Sequence, residues 1–358
     1  MAAPAPSAGT ATRPSTDTRP AESAAATRKL LGAWYTPAEL IARILDEVLD
    51  PLIRRSAPGT AISVLDPACG DGRFLAAAAA RIERAGRRPM LTGIDIDRSA
   101  VTAARGALGP DATLVVRDAL RARWSEGGFD VVVGNPPFLS QLATATARGG
   151  RSSHGGGPYA DAAVEFLALA MRLARPDGGR VGLVLPTSVV ATRDAAAVRH
   201  DVLQDAGLSW FWWSPTTVFD AQVRTCAVAL VRGATGRLAP RRIRRLTGPD
   251  FRTCPAVSSA DFRDAVAETG SWSLLLRDEG AAPSLPALAT GSLVLADLAT
   301  VAADFRDEYY GLVGAVADDV GDSEGPPLVT SGLIDPGRCL WGNRSTRFAT
   351  QRFAAPRV

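Results

Sequence analysis

From residue 61 to residue 231 the chain repeats one pattern: a short apolar run, a turn rich in Gly and Asp, then an amphipathic segment. The apolar runs 61–66, 90–95, 113–117, 129–134 and 179–185 predict strands. The intervening stretches 73–85, 98–108, 159–174 and 187–206 predict helices. Two further runs, 208–213 and 225–231, predict a closing strand pair. Short apolar strands alternating with helices predict an α/β fold: a Rossmann-like, seven-stranded, mostly parallel sheet covered on both faces. Ligands of such sheets lie beyond the carboxyl ends of the strands, near the point where the strand order reverses.

The flanks read differently. Residues 1–28 are rich in Ala, Pro, Ser and Thr without an apolar period, which predicts a disordered tail. Thr36-Pro37-Ala38-Glu39 predicts a capping box opening a helix. That helix would carry Leu40, Ile41, Ile44, Leu45, Val48, Leu49 and Leu52 on one face. A catalytic domain is expected over residues 29–246. Residues 247–358 are punctuated by Pro, Gly and Asp and form a second region.

Composition narrows the chemistry. Net charge is only +3, so the molecule is not a polycation, and the 46% hydrophobic content supplies a sizeable core. Four cysteines stand far apart and there are two histidines, His154 and His200, so no zinc site or disulfide framework is expected. No apolar run of about 18 residues is present, and no charged-then-apolar leader, which predicts a soluble cytoplasmic protein without a membrane span. Of the 40 basic residues only Lys29 is a lysine; arginine binds phosphate through a planar fork.

Two turns carry the chemistry. In Asp66-Pro-Ala-Cys-Gly-Asp-Gly72, Gly70 and Gly72 let backbone approach a ligand closely. There is no GxGxxG and no GKS or GKT, so pyrophosphate cofactors and ATP fit poorly. Asp95 closes the second strand and can accept from two ribose hydroxyls, Ile96 can cover a purine face, and Asp118 can accept from an adenine amino group. Three acids at three successive strand ends around a glycine turn predict a nucleoside ligand. The second turn, Asn135-Pro136-Pro137-Phe138, sets a side-chain amide, a carbonyl and an aromatic ring at one strand end. Such a set holds a planar amino group while something is transferred to its nitrogen.

In these segments the chain resembles the gamma-class S-adenosylmethionine-dependent N6-adenine DNA methyltransferases of restriction-modification systems. The matching elements occur in the family's order: Gly32-Ala-Trp-Tyr-Thr-Pro37, the Asp66–Gly72 turn, Gly93-Ile-Asp-Ile-Asp97, Asp118-Ala-Leu120, Asn135-Pro-Pro-Phe138 and Gly178-Gly-Arg-Val-Gly-Leu-Val-Leu-Pro186. The resemblance implies a class I methyltransferase fold and S-adenosylmethionine as cofactor. Thr36 would meet its methionine part, Asp66 with Ala68 and Gly70 its amino-acid end, Asp95 and Ile96 the ribose and base, and Asp118 with Ala119 the adenine. Asn135, Pro136 and Phe138 would be catalytic, Pro137 would lie by the target base, and Phe219 would either lie near that base or pack in the core. Double-stranded DNA is the implied partner, with a specificity or nuclease subunit possible, and no metal is implied. Residues 247–358 resemble part of a target-recognition domain, and the chain stops early compared with the family.

Other stretches are open to two readings. Residues 139–158 form a glycine-rich basic loop, either an insertion or a segment that orders over the target strand. Arg237, Arg241, Arg242, Arg244 and Arg245 suit phosphate contacts or a solvated surface. Trp210, Trp212 and Trp213 read as core. Alternative functions are methylation of a protein glutamine or of ribosomal RNA, or a catalytically weak subunit that binds DNA or cofactor. Those glutamine and RNA enzymes usually end the Asn-Pro-Pro element in Tyr, where this chain has Phe138.

Overall fold

The computed structural model describes residues 36–138, 154–156, 160–218, 223–236, 239–277, 297, 312, 314–318, 325–335, 337–348 and 351–358. Tyr35, Phe219, Arg237 and most of the 139–158 loop lie outside the described residues. The chain divides into two compact units, Met1–Pro283 and Ser284–Val358.

The first unit is built on strands β1 (Ala61–Asp66), β2 (Arg88–Asp95), β3 (Thr113–Val116), β4 (Val131–Gly134), β5 (Arg180–Pro186), β6 (Ala206–Trp213), β7 (Thr225–Arg232), β8 (Arg242–Thr247) and β9 (Arg252–Ser258). They form one sheet in the order β3-β2-β1-β4-β5-β7-β6-β8-β9. Only β7 and β9 run against the others. The expected pair β6 and β7 is antiparallel and in place. The sheet has nine strands rather than seven, because β8 pairs parallel with β6 and β9 folds back on β8.

Helices α1 (Ala38–Val48), α2 (Asp50–Arg55), α3 (Arg73–Arg84) and α4 (Arg98–Leu108) precede β4, while α5 (Ala162–Leu173), α6 (Ala196–Asp205) and α7 (Ser259–Thr269) follow it. Strand residues alternate between two cores. Val64, Val131, Val133 and Val184 pack with α1, α3 and α4. Leu65, Val132, Val181, Leu183 and Leu185 pack with α5 and α6. Every residue of β4 and β5 is buried, as central parallel strands covered on both faces must be. Each fully buried Leu, Ile or Val contributes roughly 1.5–3 kcal/mol. The apolar face of α1 lies so close to β5 that a Cβ on Gly182 would sit 2.6 Å from Ile44 Cγ2.

The capping box expected at Thr36 does not form. Pro37 is the N-cap, the helix starts at Ala38, and no side chain caps it. The Pro37 carbonyl instead accepts from Ile41 N at 3.1 Å, placing Thr36 one residue too early to cap. The helix expected over 187–206 is broken: 3₁₀ turns Thr187–Val190 and Arg193–Ala195 precede α6.

The expected boundary at 246/247 falls within the paired end of β8 in the β8–β9 hairpin, and the first unit continues through α7. The buried Arg245 guanidinium fastens this extension, donating to Pro255 O at 2.7 Å, Leu275 O at 3.1 Å and Arg277 O at 2.6 Å. In the second unit the described residues form three two-stranded ladders, β10 (Ala317–Asp318) with β15 (Pro356–Arg357), β11 (Ile334–Asp335) with β12 (Arg338–Cys339) and β13 (Thr346–Phe348) with β14 (Gln351–Phe353). Arg357 stacks 4.7 Å above the Trp341 ring there, and Trp341 Nε1 donates to Pro356 O at 2.8 Å. No helix among the described residues is long and apolar enough to cross a membrane.

Candidate functional site

The strand order reverses between β1 and β4, which are adjacent and parallel. Their carboxyl ends therefore open the crevice where ligands of such sheets bind. Asp66 ends β1 and Gly134 ends β4. A Cβ on Gly134 would lie 2.6 Å from Asp66 Oδ1, so the carboxylate occupies the space that glycine leaves. The Asp66–Gly72 turn and the Asn135–Phe138 turn thus leave neighbouring strands at one point.

Asp66 is 1% exposed, and its Oδ1 accepts from Ala68 N at 3.0 Å. Burial pushes its pKa up to about 8, Asp95 and Asp71 add repulsion, and the Ala68 N–H acts in the opposite sense. The turn beyond it needs glycine twice: Gly70 has φ 53° and Gly72 φ 83°, the left-handed region that L side chains rarely occupy. Gly72 is also the N-cap of α3, packed where a Cβ would meet Leu108 at 3.0 Å and Ala104 at 3.1 Å. Cys69 inside the turn is buried, and burial raises its thiol pKa strongly, which rules out a ready nucleophile.

Asp95 is aimed back at that turn. Its Oδ2 accepts from Gly70 N at 2.8 Å and its Oδ1 from Asp97 N at 2.9 Å. Burial raises its pKa, and these N–H groups oppose the rise. Two carboxylate oxygens offer about four acceptor sites, so capacity remains for a pair of hydroxyls. Beside it Ile96 is 57% exposed, an isolated apolar side chain at the crevice. At the end of the third strand, Asp118 Oδ1 accepts from Leu120 N at 3.0 Å and Ala119 is buried. Thr36 is buried too: its carbonyl accepts from Arg73 Nη1 at 3.2 Å, and Arg73 pairs with Asp71 at 2.7 Å. Arg73 in turn holds the Asp71 carboxyl below its usual range. The residue before α1 is thereby tied to the glycine turn.

On the β4 side Pro136 is buried, while Asn135, Pro137 and Phe138 are half-buried. Phe138 packs against the edges of both cores. The fold thus brings Thr36, Asp66, Ala68, Gly70, Asp95, Ile96, Asp118, Ala119 and Asn135 to Phe138 to the carboxyl-end side of β1 to β4. It does not bring the arginines there. Arg242 starts β8, which runs parallel to β1, so Arg241 and Arg242 stand at the opposite end of the sheet. Both are exposed, whereas Arg244 pairs with Glu47. Arg245 is buried and committed to carbonyls. Gly134 and Arg73 were missed as site residues. A glycine ending the run Val-Val-Val was the available signal for close approach by a neighbour. No group of three or more His, Cys, Asp or Glu that could hold a metal ion occurs among the described residues.

No curated protein matches the sequence. Among solved structures, the chain is similar to a protein of Listeria monocytogenes described as a class I S-adenosylmethionine-dependent methyltransferase, at 21% identity and TM-score 0.48, covering 66% of this chain and 69% of that one. It is similar to a modification subunit of a type I restriction enzyme from Vibrio vulnificus, at 19% identity and TM-score 0.48, covering 69% of this chain and 55% of that one. A methyltransferase subunit of a type I restriction-modification system from Streptococcus thermophilus matches at 19% identity and TM-score 0.47, covering 66% and 53%. The chain therefore spans little more than half the length of the last two. The family model for N-6 DNA methylases matches residues 21–237, more than half of the sequence, and the chain belongs to that N-6 DNA methylase family.

Proposed function

We propose that this methyltransferase transfers a methyl group from S-adenosylmethionine to N6 of an adenine flipped out of double-stranded DNA. One observation carries the reading: the Asp66 carboxylate fills the space beside Gly134, so the acidic glycine turn and Asn135–Phe138 share one crevice. The donor set suits this cofactor. A buried acid suits an ammonium, an acid with spare acceptor capacity suits a ribose diol, and an exposed Ile suits a purine face. In this reading Thr36 and Asp66 hold the amino-acid end, with Ala68 and Gly70 as backbone contacts. Asp95 takes the ribose, and Ile96, Asp118 and Ala119 the adenine. The bound cofactor would supply an electrophilic methyl on a sulfonium sulfur.

The acceptor needs activation, because the adenine amino lone pair is delocalised into the ring. Asn135 Oδ1 and the Pro136 carbonyl would each accept one of its N–H bonds, which favours a pyramidal nitrogen with its electron pair aimed at the methyl. Placement and fixed dipoles supply the acceleration. Phe138 would stack on the base and Pro137 would wall it. Flipping costs roughly a few kcal/mol. Phe219 near the base, and the part of residues 247–358 that forms the second unit as part of a target-recognition domain, complete the proposal; the arginines at the other end of the sheet are left out of it. A specificity or nuclease subunit is a further proposed partner, tested by co-purification. The deciding experiment incubates the protein with labelled S-adenosylmethionine and DNA and identifies the product. N6-methyladenine is expected; label only in ribosomal RNA or a release factor would replace this reading.

A further inference from the structure

Glu165 lies in the first turn of α5 and is 7% exposed, a costly place for a carboxylate without partners. Its partners come from the far end of the glycine-rich stretch. Oε2 accepts from His154 N and Oε1 from Gly156 N, both at 3.0 Å. The approach is close enough that a Cβ on Gly156 would sit 2.4 Å from Oε1. Two charge-assisted bonds therefore seat the His154 backbone on α5. The His154 ring then reaches the other way, with Nε2 3.1 Å from Leu120 O. A carbonyl only accepts, so the ring carries its proton on Nε2. Leu120 belongs to the segment after β3 that includes Asp118 and Ala119. The carbonyl of Ala119 is taken by a second ring donor, Trp124 Nε1, at 2.9 Å. Inside the segment the Asp118 carboxylate is turned onto Leu120 N.

We infer that His154 and Glu165 are positioning residues for the cofactor's adenine. They act through Leu120, fixing the chain whose Asp118 and Ala119 face the base. The inference rests on the reading above that this segment meets the adenine.

The test uses the full chain and the variants His154→Ala, His154→Gln and Glu165→Gln. Calorimetry gives the Kd for S-adenosylmethionine, and steady-state assays give its KM and kcat. Melting without cofactor reports the fold. Losing one such bond is expected to raise Kd and KM for the cofactor roughly three- to tenfold in His154→Ala, with kcat falling less than KM rises. His154→Gln should recover most of the affinity, because its amide N–H2 can donate to the same carbonyl. Glu165→Gln should move Kd in the same direction as His154→Ala, because one loop N–H then faces an NH2 group. Unchanged cofactor affinity in all three variants overturns the inference. So does an affinity loss that follows a fall in melting temperature and is not recovered by glutamine. A wild-type chain that binds no S-adenosylmethionine removes the cofactor reading itself, and this inference falls with it.

Discussion

The sheet sets three strand-end carboxylates on one flank and a pair of neighbouring arginines on the other, and uses them differently. On the β1–β3 flank, Asp66, Asp95 and Asp118 stand at three strand ends, each accepting a backbone N–H from a turn nearby. On the β6–β9 flank, Arg244 and Arg245 are neighbours in sequence, yet one pairs with Glu47 and the other is spent on three backbone carbonyls. A carboxylate oriented by two N–H groups, as Asp95 is, still has acceptor sites, whereas the Arg245 guanidinium, its donors shared among backbone carbonyls, is part of the scaffold. Charge alone therefore does not mark a candidate binding residue; what the fold has already done with its hydrogen-bonding groups matters as much.

The largest expected effect breaks the acceptor side of the site. Asn135→Ala should lower kcat by about 10²–10³ while cofactor binding survives. A variant that loses cofactor affinity as well would place Asn135 in the cofactor pocket instead. Next comes the scaffold arginine: Arg245→Ala should cost roughly 2–4 kcal/mol in denaturant unfolding, because the buried guanidinium is removed and three backbone carbonyls lose their donor. Arg242→Ala, on the exposed face of the same strand, should stay within about 0.5 kcal/mol. Equal costs for the two would erase the contrast between spent and exposed arginines. Asp95→Ala should weaken S-adenosylmethionine binding by roughly tenfold or more, and an unchanged calorimetric Kd would remove Asp95 from the ribose site.

Asp66 sharpens the comparison through pH. Its folded pKa is raised from the usual 3.8 to about 8, so the folded protein keeps a proton that the unfolded chain releases. Stability from this group is full below about pH 4 and is lost as pH rises toward 8. Melting without cofactor should accordingly decline across that window, and Asp66→Asn should flatten the decline. A cofactor ammonium beside the carboxylate would stabilise its charged form, so added S-adenosylmethionine should protect most at the alkaline end. The smallest effect is expected from Arg241→Ala with Arg242→Ala. Both stand at the end of the sheet away from the crevice, so the salt slope of DNA binding should be unaltered; a slope that falls by about two would put them on phosphates.

Much of the fold was legible in the sequence because central parallel strands must be apolar on both faces. The runs ending at Asp66, Asp95 and Gly134 stand out for that reason, and so does the β6–β7 pair with its buried tryptophans. The β8–β9 extension was not legible for the opposite reason. In Arg242-Ile-Arg-Arg-Leu-Thr247 an inward position is an arginine, so the period-two pattern hides behind a run of cations. Thr36 misled because a hydroxyl, a proline and a glutamate at capping spacing outweighed the one-residue shift in helix start. The turns at Asp66 and Asn135 could be named from residue types, but their adjacency could not. It depends on strand order, which no local pattern encodes. The tie between His154 and Leu120 spans 34 residues and involves a backbone carbonyl, so it leaves no trace in side-chain identity.

Gly134 has a consequence for anyone trying to dissect the enzyme by mutation. With only a hydrogen between it and the Asp66 carboxylate, any larger residue there would push on the first turn while also displacing the start of the second. A lesion at that position would register in nucleotide-analogue titrations and in base-trapping assays alike. No library built at residue 134 can separate methyl-donor affinity from acceptor handling, and variants meant to isolate one step belong further out along either loop.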